Sequence, residues 1–191
     1  MQLTIQTTAN RKKKPQDDSL NFGKYFTDHM FQMNYDPQRG WHDPRIGPYE
    51  ALSLDPAAAV LHYGQALFEG LKAYRGKDNQ VSLFRVERHA ERFAKSAQRL
   101  CVPPVPVEQT IAALRAFVRV EKDWVPSSPG TALYLRPAII GTEAFLGVRA
   151  ATRYTFFIIA SPVGAYYSGG IKPLRLWVEQ EHIRAARGGL G

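Results

Sequence analysis

Residues 86–122 read VERHAERFAKSAQRLCVPPVPVEQTIAALRAFVRVEK and contain two helical patterns separated by prolines. Apolar residues recur in both patterns at the spacing of a single helix face, and charged residues occupy the opposite face. The first pattern ends at Pro103 and Pro104, because proline lacks an amide hydrogen and clashes with the preceding turn. The second extends from about Val107 to Lys122. We therefore predict two amphipathic helices that each bury one face.

The segments on both sides of these helices have strand composition. Residues 131–140 and 153–160 are rich in β-branched and aromatic side chains, and residues 81–84 form a shorter apolar run. Alternation over residues 21–35 predicts a further strand, followed by a turn at residues 36–40. The order of strands, two helices and strands predicts an α+β fold with a mixed sheet and two helices, and not a regular βαβ array.

Composition also suggests how the chain is divided into domains. Residues 1–20 are polar and basic, which predicts a poorly ordered arm. Residues 21–163 would form one small α+β domain. Residues 164–173 contain three glycines and a proline, as is typical of an interdomain linker. Residues 174–191 would begin a second domain, with a strand at 174–178.

Charge and motif content exclude several classes of function. The net charge is +8, but apart from Arg11–Lys14 the positive residues are scattered, which predicts a solvated surface and no nucleic-acid partner. No apolar run approaches the roughly 18 to 20 residues needed to span a bilayer. The single cysteine, Cys101, indicates a reducing compartment, so we expect a cytoplasmic protein. The five histidines lack metal-ligand spacing, and no phosphate-binding loop or nucleophile elbow is found.

The most informative run is LHYGQALFEGLKAY at residues 61–74. With its neighbouring motifs it resembles the branched-chain amino-acid aminotransferases, which are fold-type IV pyridoxal-phosphate enzymes. The supporting motifs are FGKYFTDHM at 22–30, DWVP at 123–126, LYLRP at 133–137 and PVGAYY at 162–167. The resemblance extends in the right order from Asn21 to Gly191. It implies a fold-type IV small domain, followed at residue 174 by the start of a cofactor-binding domain.

The resemblance implies transfer of the amino group of leucine, isoleucine or valine to 2-oxoglutarate, which yields glutamate, with pyridoxal 5'-phosphate as cofactor. In this family the lysine that binds the cofactor covalently follows the glycine run found here at residues 188–191. Lys72, Lys95 and Lys172 do not match its motif. We therefore expect a fragment that contains no catalytic residue, supplies the small domain and is inactive alone.

Two arginines match positions that hold the cofactor. Arg92 matches the arginine that binds the cofactor phosphate, and guanidinium geometry suits bidentate contact with phosphate oxygens. Arg184 matches a residue near the cofactor. Without the resemblance, Arg92 is a surface residue on the polar face of its helix and Arg184 is an ordinary helix or loop charge.

Further residues match the substrate pocket of the family. Arg136 matches the position that accepts the side-chain carboxylate of glutamate or 2-oxoglutarate; the alternative is an arginine paired with an acidic neighbour. Aromatic residues match the apolar wall that takes aliphatic side chains, although the residues alone favour core positions for most of them. These matches are Phe22, Tyr63, Phe68, Tyr134 and Tyr166.

The resemblance also implies a homodimer in the full-length enzyme, with Tyr63 and its glycine-flanked loop near the interface. Two alternatives stay within fold type IV: a D-amino-acid aminotransferase and an aminodeoxychorismate lyase. The motifs at Thr27–Met30 and Trp124–Pro126 disfavour both. A third alternative is a non-catalytic dimerisation or binding module that retains only the small domain.

Overall fold

The computed structural model of the chain describes residues 2–165 and 173–181, which contain one mixed β-sheet with helices packed on it. The strands are β1 (Thr4–Ile5), β2 (His29–Asp36), β3 (Gly40–Pro48), β4 (Ala66–Phe68), β5 (Leu71–Arg75), β6 (Val81–Leu83), β7 (Ala132–Gly141) and β8 (Tyr154–Val163). The helices are α1 (Ala59–Tyr63), α2 (Val86–Arg99) and α3 (Val107–Val120), with 3₁₀ turns at Asp17–Ser19 and Lys122–Trp124.

Strand β7 pairs with three other strands of the sheet. It pairs antiparallel with β8 along one edge, and with β4 and β5 in succession along the other. The strand order is β1-β3-β2-β8-β7-β5-β6, and β1 pairs parallel with β3. The α+β prediction with a mixed sheet and two long helices is confirmed, and the helices end two to four residues before the predicted ends.

Strand β7 has a buried face and an open face. Leu133, Leu135 and Ile139 are buried in a cluster with apolar side chains of α2 and α3. Because successive strand residues point to opposite faces, Tyr134 and Arg136 project on the other side, where they are only half-buried. The two helices therefore cover one side of β7 and leave these two polar side chains on the other.

The amino-terminal segment that we expected to be poorly ordered is attached to the sheet. The backbone amide of Thr8 donates to Nε2 of His29 at 2.9 Å, and that of Lys12 donates to Asp28 Oδ1 at 2.8 Å. Both acceptors are buried at the start of the structured region around β2. The polar composition of the segment suggested disorder because it does not show these acceptors, which lie 16 and 21 residues away in sequence.

Two strand predictions were wrong in part. The strand expected over residues 21–35 begins only at His29; residues 22–24 form a turn in which Gly23 has a left-handed φ of 70°. Residues 174–178 are irregular and exposed, because no strand in the described part of the chain pairs with them. The turn at residues 36–40 is confirmed as the connection between β2 and β3.

Candidate active-site face

A guanidinium and two aromatic rings meet on the open face of β7. Nε and Nη2 of Arg136 donate to the Tyr134 hydroxyl at 3.2 Å and 2.9 Å. The guanidinium carbon also lies 4.0 Å from the centre of the Phe68 ring. Arg136 is thus held by a hydroxyl on one side and by a cation–π contact on the other.

Strand pairing explains why these side chains meet. Phe68 lies opposite Ala138, and Lys72 lies opposite Tyr134, so two strands place their side chains on one face of β7. Gly70, at the junction between those strands, has no Cβ; one built there would overlap the Tyr134 hydroxyl. Glycine at this position therefore permits the tyrosine to lie over the junction and reach Arg136.

The aromatic rings beside Arg136 are at the surface and not in the core. Phe22 lies 5.0 Å from Tyr134 between ring centres, and Phe22 and Phe68 are 58% and 63% exposed. The residues alone favoured core positions for most of the aromatic matches, but Phe22 and Phe68 are not in the core. Exposed aromatic rings next to a cation form a surface with both apolar and charged binding capacity.

The structure argues against the alternative interpretation of Arg136, in which it pairs with an acidic neighbour. Its hydrogen bonds go to Tyr134, and no carboxylate forms an ion pair with it within residues 2–165 and 173–181. Since the Tyr134 hydroxyl occupies Nε and Nη2, the Nη1 edge of the guanidinium stays available to a carboxylate.

Arg92 lies on α2 and binds a buried acid. Its Nε donates to Glu69 Oε2 at 2.6 Å, and its Nη2 donates to Glu69 Oε1 at 2.5 Å. Burial alone opposes ionisation of Glu69, but hydrogen bonds from Arg92, the Gly70 amide and His89 outweigh it and lower the pKa of the carboxyl group. The Arg92 side chain nevertheless remains 65% exposed. It is a surface residue, as the plainer interpretation predicted, but one with a fixed partner.

Sequence reasoning missed Glu69, which connects the two arginines. Phe68 and Glu69 are consecutive, with Phe68 under Arg136 and Glu69 on Arg92. The sequence did contain a signal for Glu69: it is a carboxylate that stands between an aromatic residue and a glycine in an otherwise apolar run.

Tyr63 contacts a different part of the chain. It ends α1, and its hydroxyl donates to the Leu146 carbonyl in the loop between β7 and β8. Exposed apolar side chains cluster in sequence around these two residues: Leu61, Tyr63, Phe145, Leu146 and Val148. We call this set the loop patch. Leu146 and Val148 were missed, although apolar residues in a loop that also holds Gly147 were a usable signal.

Three predicted features lie outside the described residues: Tyr166, Arg184 and the glycine run at 188–191. Within the described residues, no group of three or more histidine, cysteine or acidic side chains is arranged to hold a metal ion. No helix there has both the length and the apolar character required to cross a bilayer.

Comparison with known proteins shows which proteins this chain is similar to. No family model matches the chain. It is 52% identical over 189 residues to branched-chain-amino-acid aminotransferase 2 of Bacillus subtilis, and the match covers 99% of this chain and 52% of that protein. Among solved structures, it superposes with a TM-score of 0.58 and 23% identity on the Escherichia coli branched-chain amino acid aminotransferase, over 73% of this chain and 41% of that one.

A second solved structure is the branched-chain amino acid aminotransferase from Thermobaculum terrenum in its PLP-form. It matches with a TM-score of 0.51 and 22% identity over 73% of this chain and 41% of that one. The chain spans about half the length of the curated relatives it matches. The identity to the Bacillus protein over almost every residue, together with the shared fold, shows that this chain is similar to about half of a branched-chain amino-acid aminotransferase.

Proposed function

We propose that this chain supplies the small domain of a pyridoxal-phosphate-dependent transaminase that acts on leucine, isoleucine and valine with 2-oxoglutarate. The observation that carries the proposal is Arg136, a cation without a carboxylate partner in the described residues, set against exposed aromatic rings. Such a surface suits two kinds of substrate in turn. The names of the relatives support the same reaction.

The two substrate classes would use different parts of this face. The rings of Phe22 and Phe68 offer apolar area to an aliphatic side chain, which is selected only by contacts that are each weak. The open Nη1 edge of Arg136 would bind the side-chain carboxylate of glutamate or 2-oxoglutarate, with Tyr134 holding the guanidinium in place. One surface could thus accept both an apolar and an acidic substrate.

The residues present fit the phosphate of the cofactor. Glu69 occupies Nε and Nη2 of Arg92, whose side chain is 65% exposed, and we propose that the remaining Nη1 binds a phosphate oxygen. Arg184 is proposed to lie near the same group, as the motif match implies. When bound, pyridoxal phosphate supplies the electron sink for the reaction, while the protein binds and orients the reactants.

We further propose that the full-length enzyme is a homodimer in which the loop patch contributes to the interface and to the partner's pocket. Val148 is 91% exposed, and Leu61 and Leu146 are also exposed. Adjacent exposed apolar residues are typical of a surface that associates. The lone cysteine, Cys101, supports a reducing compartment such as the cytoplasm.

The proposed function is tested with the complete protein that contains this chain. We expect it to convert leucine, isoleucine and valine to their 2-oxo acids with 2-oxoglutarate as amino acceptor, measured by chromatography of both products. Turnover of D-alanine instead of the L-branched substrates would support the D-amino-acid aminotransferase alternative. No amino transfer, together with no binding of pyridoxal phosphate, would support a non-catalytic module.

A further inference from the structure

We propose that Glu69 is a positioning residue that holds the Arg92 guanidinium in one orientation and leaves its Nη1 for the cofactor phosphate. This inference rests on the proposed function, because it concerns the phosphate site of the same cofactor. It assigns a role to a buried carboxylate that touches neither the substrate face nor the proposed phosphate position.

Glu69 is anchored more firmly than an ordinary surface acid. It is 6% exposed, its backbone amide donates to the Pro137 carbonyl at 2.9 Å, and the amide of Gly70 donates to its Oε1 at 2.7 Å. The carboxylate therefore belongs to the junction between β4 and β5, where it is fixed by the pairing of both strands with β7.

The contact with Arg92 uses one defined edge of the guanidinium. Nε and Nη2 donate to the two carboxylate oxygens of Glu69, so the contact is bidentate. In the described part of the chain, Nη1 of Arg92 donates to no protein group. The guanidinium is therefore held by Glu69, while the Arg92 side chain as a whole is 65% exposed.

His89 lies one turn before Arg92 on α2 and supports the same arrangement. Its Nδ1 lies 3.3 Å from Glu69 Oε1 and 3.4 Å from Arg92 Nη2. An exposed arginine without such partners samples many rotamers and must give them up when an anion binds. A guanidinium that is already fixed loses less conformational freedom on binding, so its affinity for a directional oxyanion is higher.

The carboxylate could also act in the opposite way, by competing with the phosphate for Arg92. The two roles predict opposite changes in phosphate-dependent binding when Glu69 is removed. If Glu69 positions Arg92, its removal weakens phosphate-dependent binding. If Glu69 competes, its removal strengthens that binding. The geometry favours positioning, because Glu69 occupies Nε and Nη2 and leaves Nη1 without a partner in the described residues.

The experiment uses the complete apo-protein and two ligands, pyridoxal phosphate and pyridoxal, which lacks the phosphate. Equilibrium titration followed by absorbance gives both dissociation constants for the wild type and for Glu69→Gln. We expect Glu69→Gln to weaken pyridoxal phosphate binding about tenfold, as the loss of a charge-assisted hydrogen bond implies. The affinity for pyridoxal should stay unchanged, whereas a general structural defect would weaken both ligands.

Glu91→Gln is the matched control. Glu91 lies on α2 and pairs with Arg88 at 3.0 Å, but both side chains are exposed. It should leave both dissociation constants within about twofold of wild type, because exposed pairs contribute little. Glu69→Asp keeps the carboxylate on a side chain that is one methylene shorter. Its dissociation constant for pyridoxal phosphate should fall between those of wild type and Glu69→Gln, and its dissociation constant for pyridoxal should not change. It provides the decisive comparison if the glutamine variant does not fold.

Two results would overturn the inference. One is pyridoxal phosphate affinity in both Glu69 variants that equals or exceeds that of wild type. The other is an equal loss for both ligands. Failure of the proposed function is a separate outcome, because it would appear in the wild type as an absence of pyridoxal phosphate binding.

Discussion

At the scale of single residues, the two arginines are arranged in the same way around different partners. Arg136 gives Nε and Nη2 to the Tyr134 hydroxyl, and Arg92 gives the same two groups to Glu69. In both cases Nη1 has no protein acceptor in the described residues. The partners differ in kind: Arg136 is bonded to a hydroxyl group, whereas Arg92 is paired with a carboxylate.

Replacement of Arg136 tests the residue-scale assignment. We expect Arg136→Ala in the complete enzyme to raise the KM for glutamate by on the order of tenfold or more, because a hydrogen-bonded charge contact contributes about 1.5–3 kcal/mol. The KM for leucine should change far less, since an aliphatic side chain does not need the cation. Steady-state kinetics with both substrates measure the difference. Equal increases for both would contradict the dual-substrate role.

At the scale of elements, the loop between β7 and β8 and the amino-terminal segment are each held in place by hydrogen bonds to a carboxylate. Glu143 binds the Arg149 guanidinium at 2.7 Å and 3.0 Å and accepts the Thr152 amide at 2.6 Å, which closes the loop between β7 and β8. Asp28 does the same for the amino-terminal segment. We call the contacts of Glu143 and of Asp28 clamps, because each holds an irregular segment that secondary structure does not stabilise.

The clamp in the loop between β7 and β8 has a defined pH dependence. The hydrogen bond from Arg149 lowers the pKa of Glu143 from 4.5 to about 2. Since the folded-state pKa is depressed, the stabilisation is fully present above about pH 4.5 and is lost as the pH falls toward 2. Carboxyl-carbon NMR titration should give a pKa of about 2 for Glu143, and a value nearer 4.5 in Arg149→Ala. Unchanged titration in that variant would show that Arg149 is not the cause.

The clamp on the amino-terminal segment predicts protection from protease. Asp28 accepts hydrogen bonds from the Lys12 amide at 2.8 Å and from Trp124 Nε1 at 2.9 Å. Asp28→Asn leaves one of these buried donors unsatisfied, at a cost of about 1–3 kcal/mol. We expect faster tryptic cleavage within Arg11–Lys14, followed by mass spectrometry. Asp18→Asn, in the exposed 3₁₀ turn, is the control and should cleave at the wild-type rate. Equal rates in both variants would contradict the clamp.

At the scale of the whole molecule, β7 joins the candidate binding face to the loop patch. Its first half carries Tyr134 and Arg136, its buried residues pack against the helices, and its end leads into the loop with Leu146 and Val148. The same strand therefore supports both surfaces.

The loop patch is tested by a charged substitution at its most exposed position. Val148→Asp should leave the folded protomer intact, because the side chain is 91% exposed. It should shift the complete protein from dimer toward monomer, measured by sedimentation velocity at several concentrations. Ala112→Asp, on the exposed face of α3, is the matched control and should sediment as wild type. A Val148→Asp dimer as stable as wild type would remove the patch from the interface.

The amino-acid sequence determined the local elements of this protein. Helices α2 and α3, the turn before β3 and the long strands β7 and β8 follow from periodicity and turn residues within short windows. The similarity to branched-chain amino-acid aminotransferases also follows from the sequence, because several short motifs occur in the right order.

Only the tertiary structure decided which groups meet. Arg92 and Glu69 are 23 residues apart, and the attachment of the amino-terminal segment to Asp28 joins residues 16 apart. The exposure of Phe68 depends on β4 pairing with β7, some 70 residues further along the chain. Periodicity assigns a residue to a face, but its partner is set by strand pairing and helix packing between distant segments, which no local pattern encodes.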